Sequence, residues 1–84
     1  GEPFAVFPNP AQTHIDIDLR AAQGQPVWLR LSDALGRLVG QTRIGQPGSD
    51  PYRLTVGHLS SGTYLLGIEP DGQAPVMRRV IIGR

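Results

Sequence analysis

The chain contains no cysteine and no lysine. Without cysteine, disulfides and thiolate metal sites are excluded, and the core must hold the fold unaided. Without lysine, all eight basic residues are arginines, at positions 20, 30, 37, 43, 53, 78, 79 and 84. They are scattered and nearly balanced by seven acidic residues, leaving a net charge of +1. Nucleic-acid binding calls for a concentrated basic surface, so nucleic acid is not an expected partner. Long apolar runs are missing as well. The longest strictly aliphatic run near the end, Val80-Ile81-Ile82, is far short of the ~20 residues of a membrane-spanning helix. No signal peptide is present, so a parent that is exported carries its export signal upstream. The chain opens on Gly1-Glu2-Pro3 rather than on Met. It reads as one module, residues 1–84, taken from a longer protein, with residues 1–3 a linker remnant. A sustained 3.6-residue period is the last absence, and it argues against helices.

Strict alternation is what the chain has instead, broken by eleven Gly and eight Pro. Phe4-Ala5-Val6-Phe7 is a short apolar run stopped by Pro8-Asn9-Pro10, which reads as an edge strand. His14 to Leu19 sets Ile15, Ile17 and Leu19 on one face and His14, Asp16 and Asp18 on the other, the pattern of a strand with one wet face. Ala21 to Pro26 is a turn region. Val27, Leu29 and Leu31 form the next inward set, with Trp28, Arg30 and Ser32 outward. Asp33-Ala34-Leu35-Gly36 supplies a tight turn, and Arg37 to Ile44 resumes as a strand in which Val39 faces in and Leu38 fits either face. Tyr52, Leu54 and Val56 are inward, and Leu59 plugs a corner. Thr63 to Glu69, with Tyr64, Leu66 and Ile68 inward, and Val76 to Ile82, with Val80 and Ile82 inward, form a hairpin around Pro70-Asp71-Gly72-Gln73. Seven short strands with regular turn signals predict an all-β antiparallel sandwich, with a small barrel as the competitor.

Candidate chemistry is sparse. His14 and His58 are the only histidines, and they lack the cysteine or paired spacing of a structural zinc site. Asp16 and Asp18 share a face, but calcium takes six or more oxygens and no acidic cluster completes the set. Serines 32, 49, 60 and 61 fall at strand ends or turns, where backbone reasons suffice. No residue calls for a cofactor, and the chain is not expected to be an enzyme. Trp28 is the one side chain with binding potential, able to stack on a sugar ring or to lie over neighbouring carbon beside Arg30 or Arg43. Arg78 and Arg79 interrupt the last strand's alternation, so one points inward or the strand bulges.

Three segments fall into a recognisable order. Phe7-Pro8-Asn9-Pro10 resembles the opening signature of the type A C-terminal sorting domains of the type IX (Por) secretion system. Leu31 to Val39 is similar to their central D-x-x-G-R-x-V motif, here Asp33, Gly36, Arg37 and Val39. Leu59 to Tyr64 is similar to L-x-x-G-x-Y, here Leu59, Gly62 and Tyr64, and a basic-apolar segment, Arg79 to Arg84, follows at the end. The chain departs from the pattern in carrying Arg where Lys is usual and in placing Gly83 inside the final motif.

This resemblance implies an immunoglobulin-like sandwich at the C-terminus of a larger Bacteroidetes cargo protein. It implies transit through the periplasm, recognition by the outer-membrane translocon and shuttle proteins, and release by a cell-surface sortase. The cargo would end on the surface or secreted. Pro8, Asn9, Pro10, Gly36, Gly62 and Tyr64 all have structural explanations, so recognition is expected at Arg78, Arg79 and Arg84. The alternative is an adhesion or carbohydrate-binding accessory module working through Trp28. A plain spacer domain is a third reading.

Overall fold

Alternating runs become strands because period-two patterning buries one face and wets the other. The computed structural model describes residues 3–84, and its strands follow that pattern closely. They are β1 (Val6–Phe7), β2 (His14–Ile17), β3 (Val27–Ser32), β4 (Leu38–Ile44), β5 (Tyr52–Thr55), β6 (Gly62–Pro70) and β7 (Val76–Ile82). A single 3-10 turn, Arg20–Ala22, sits between β2 and β3, and no α-helix occurs among the described residues.

All strand pairs are antiparallel, in two sheets ordered β1-β2-β5 and β4-β3-β6-β7. This is the two-sheet sandwich predicted from the alternation, with an immunoglobulin-type strand order in which the fourth strand lies beside the third. Ile15 and Ile17 from one sheet meet Leu29, Leu66, Ile68 and Val80 from the other in one buried core. Among the described residues no charged residue is fully buried there, so the interior rests chiefly on apolar packing.

Four details differ from the sequence reading. Strand β1 is shorter, because Phe4 leaves strand geometry at φ 61° and buries its ring in the core. Strand β2 ends at Ile17 because the Asp18 carboxylate accepts the Arg20 backbone N–H at 3.0 Å and turns the chain. Leu19 still reaches the core past that end, and Ala11 and Ala22 join it without lying in a strand. At the start of β4 the register shifts: Leu31 faces Gly40 while Ser32 faces Leu38, leaving Val39 as the extra residue of a bulge. The bulge turns Val39 toward the core and leaves Leu38 outward, 51% exposed.

The last strand has no bulge. Its register with β6 runs unbroken from Gly62↔Ile82 to Ile68↔Val76. Val76, Arg78, Val80 and Ile82 therefore face inward, and Met77, Arg79 and Ile81 face outward. Of the two expectations for the arginine pair, inward placement of one holds, and the one is Arg78.

Candidate recognition surface

Strand β7 lies at the edge of the larger sheet, where unpaired N–H and C=O groups would template further pairing. The Pro8-Asn9-Pro10 segment covers that edge. The Asn9 carboxamide accepts the Ile81 N–H through Oδ1 at 2.9 Å and donates Nδ2 to the Arg79 carbonyl at 3.1 Å. One side chain thus occupies the positions a neighbouring strand's peptide would take. Immediately afterwards Ala11 N–H donates to Ile81 O at 2.8 Å and Gly83 N–H donates to Ala11 O at 2.9 Å, a parallel bridge that continues the cover. Proline suits both flanking positions, since neither has an N–H to satisfy.

The Asp33 to Val39 motif is a self-bonded hairpin turn. Asp33 Oδ1 accepts the backbone N–H groups of Leu35 and Arg37, both at 2.9 Å, and its Oδ2 accepts Arg37 Nε at 2.8 Å. Gly36 closes the turn at φ 82°, a conformation that a Cβ would strain. The Arg37 backbone N–H, followed by its guanidinium, holds the Asp33 carboxyl below its ordinary range.

The Leu59 to Tyr64 motif is a tyrosine corner. Tyr64 O–H donates to the Ser60 carbonyl four residues upstream at 2.7 Å, at the start of the strand after the β5–β6 corner. Leu59 packs against the core edge, and the Tyr64 ring passes within 4.0 Å of where a Cβ on Gly62 would sit. All three motif segments therefore fasten the fold.

The three terminal arginines occupy different environments. Arg84 donates to the carbonyls of Gln12 (3.1 Å), Val56 (2.9 Å) and Leu59. It ties the last residue to the β5–β6 corner. Arg78, half-buried, donates to Met77 O at 3.1 Å and to Pro3 O at 2.8 Å, fixing the stretch just ahead of β1 against the last strand. Arg79 alone projects into solvent from the outer face. That Arg84 and Arg78 would be engaged by backbone carbonyls has little trace in the sequence, because their partners lie up to 75 residues away.

Other candidate side chains are also occupied. Trp28 is half-buried, with the Arg30 guanidinium 4.8 Å from its ring centroid, and Arg30 in turn donates to Glu69 at 2.6 Å. Asp16 is bonded by Arg53 across β2 and β5, and Asp18 by Arg20. Those side-chain hydrogen bonds hold both carboxyls below their ordinary range and raise Arg53 and Arg20. Among the described residues no three His, Cys, Asp or Glu side chains gather as a metal site would require. His14 shares a hydrogen bond with Thr13 at 3.2 Å, and His58 is exposed in a turn.

The sandwich thus has its motifs built into a hairpin turn, a tyrosine corner and an edge cover, each bonded within the domain. Comparison with protein families gives the family itself. Residues 5–83 match the model described as the secretion system C-terminal sorting domain. The chain belongs to that family of type IX sorting signals, which are not catalysts. Membership implies fusion to an upstream cargo, interaction with the type IX machinery, and delivery of the cargo to the cell surface or the medium. No curated protein matches the chain. Family membership does not favour the sugar-binding alternative, and the Arg30 guanidinium over Trp28 partly covers the ring that reading would use.

Proposed function

We propose that the domain acts as a folded export tag. It accompanies its cargo through the periplasm, is read by shuttle and translocon proteins at the outer membrane, and is then cut away by a surface sortase. One observation supports reading in the folded state. The motif residues Asn9, Asp33 and Tyr64 spend their hydrogen bonds inside the domain, so what they preserve for a partner is a shape. The covered edge of β7 supports the same view, since a partner strand would first have to displace Asn9 and Ala11.

The test is a fluorescent reporter carrying an amino-terminal secretory leader and residues 1–84 at its carboxyl end. In cells with a working type IX system the reporter should reach the surface or medium. In otherwise identical cells lacking the outer-membrane translocon it should stay in the periplasm. Equal distribution in the two strains contradicts the proposal.

A further inference from the structure

Seven of the eight arginines are engaged within the chain. Arg20, Arg30, Arg37, Arg43 and Arg53 pair with carboxylates, and Arg78 and Arg84 donate to backbone carbonyls. Arg79 is the exception: its guanidinium makes no hydrogen bond or ion pair among the described residues.

Its setting is apolar. Arg79 faces Leu65 across the β6–β7 pair, and Leu65 faces Ser32, which faces Leu38, so the four form one row across the outer face. Leu38, Leu65, Met77 and Ile81 are each between 41% and 51% exposed on that face. A groove of about 350 Å³ runs beside the row, lined by Ser32, Asp33, Gly36, Thr63, Leu65 and Arg79. The one carboxylate there among the described residues, Asp33, is already satisfied by Arg37 and two backbone N–H groups. The groove therefore offers an unneutralised cation inside an apolar frame. Two motif segments, Asp33 to Val39 and Leu59 to Tyr64, converge on it together with the last strand.

We propose that this groove docks a protein partner that inserts a carboxylate side chain from an apolar ridge, with Arg79 as the anchor. This rests on the sorting reading and names the partner's chemistry. Charge complementarity selects the occupant. A lone guanidinium framed by Leu, Met and Ile matches the centre of a protein interface, where Arg and Met are enriched and a fork-like donor meets a carboxylate. An anionic membrane or polyanion is held by clusters of cations, and every other arginine is engaged within the chain.

The test uses the same reporter fusion with Arg79→Glu, Arg79→Lys, Leu65→Ser and a Gln46→Glu control on an exposed loop. Arg79 has no side-chain bond to lose, so Arg79→Glu should keep the wild-type circular dichroism and urea midpoint. Its export should fall at least about tenfold, and Leu65→Ser should also fall. Arg79→Lys should fall less than Arg79→Glu because it keeps the charge but loses the fork, and Gln46→Glu should stay near wild type. Suppressors of Arg79→Glu should replace an Asp or Glu by Lys or Arg in a component of the machinery. Wild-type export of a folded Arg79→Glu fusion overturns the inference and leaves the sorting reading standing. Arg79-dependent binding of the purified domain to phosphatidylglycerol vesicles makes the occupant a lipid and also overturns it. Failure of the unsubstituted fusion to leave the cell overturns both readings together.

Discussion

Asn9 carries the most discriminating stability prediction. Asn9→Ala removes two hydrogen bonds, to Ile81 N–H at 2.9 Å and to Arg79 O at 3.1 Å. At about 0.5–1.5 kcal/mol each, the loss is about 1–3 kcal/mol, a sizeable share of the roughly 4–13 kcal/mol typical of 84 residues. Asn9→Asp sharpens the point. It keeps the shape and the acceptor for Ile81, but sets a carboxylate oxygen against the Arg79 carbonyl, where the donor had been. The aspartate should therefore be at least as destabilising as the alanine, although it is the smaller change in shape. With a urea m-value of about 1 kcal/mol/M, both midpoints should drop by about 1–3 M. Amide exchange should show the Ile81 N–H opening faster, while Val80, which faces β6 in the ladder, changes less. An Asn9→Asp protein as stable as wild type, or an Asn9→Ala protein with Ile81 still protected, would refute the edge cover.

Further outcomes follow from the other contacts. Tyr64→Phe deletes the bond to Ser60 O and should cost about 1 kcal/mol, read as a urea midpoint shift with the ring packing retained. Gly36→Ala forces a Cβ onto φ 82° and should cost about 1–2 kcal/mol in the same assay. Asp16, Asp18 and Asp33 have carboxyls held below the ordinary 3.8. Their contribution is therefore present above that value and lost as pH falls through the lowered folded values. The urea midpoint should accordingly fall below about pH 4, and an Asp16→Asn, Asp18→Asn, Asp33→Asn triple variant should show a shallower acid decline. Arg84→Ala releases the carbonyls of Gln12, Val56 and Leu59 and should destabilise by about 1–2 kcal/mol after allowing for its exposure. Any export defect of that variant should track its loss of fold.

The strands were legible because each alternating run has an uninterrupted core face. Val27, Leu29 and Leu31 sit in β3 as their spacing requires, all nearly fully buried. For the arginine pair the sequence left two outcomes open, one side chain inward or a bulge, and the unbroken register with β6 makes Arg78 the inward one. Alanines 11 and 22 escaped because small residues outside strands carry no periodic signal, yet both are fully enclosed. The bulge at Val39 was hidden because a one-residue register shift leaves the composition unchanged. For the recognition surface, the sequence could mark the motifs but not their convergence. Asn9 and Arg79 are 70 positions apart, and no local pattern places one on the other. The distinction among Arg78, Arg79 and Arg84 depends on carbonyls supplied by distant turns, which only the folded chain brings together.

A covalent staple that keeps the domain closed distinguishes reading in the folded state from reading as an open chain. His14 and Thr55 face each other across β2 and β5, in the sheet opposite the Arg79 groove. A His14→Cys, Thr55→Cys pair can close there in the oxidising periplasm and prevent the chain from opening. The account predicts that the reporter bearing the oxidised staple still reaches the surface in type IX-competent cells and stays periplasmic without the translocon. Retention of the stapled reporter in competent cells, relieved when the disulfide is reduced, would contradict it.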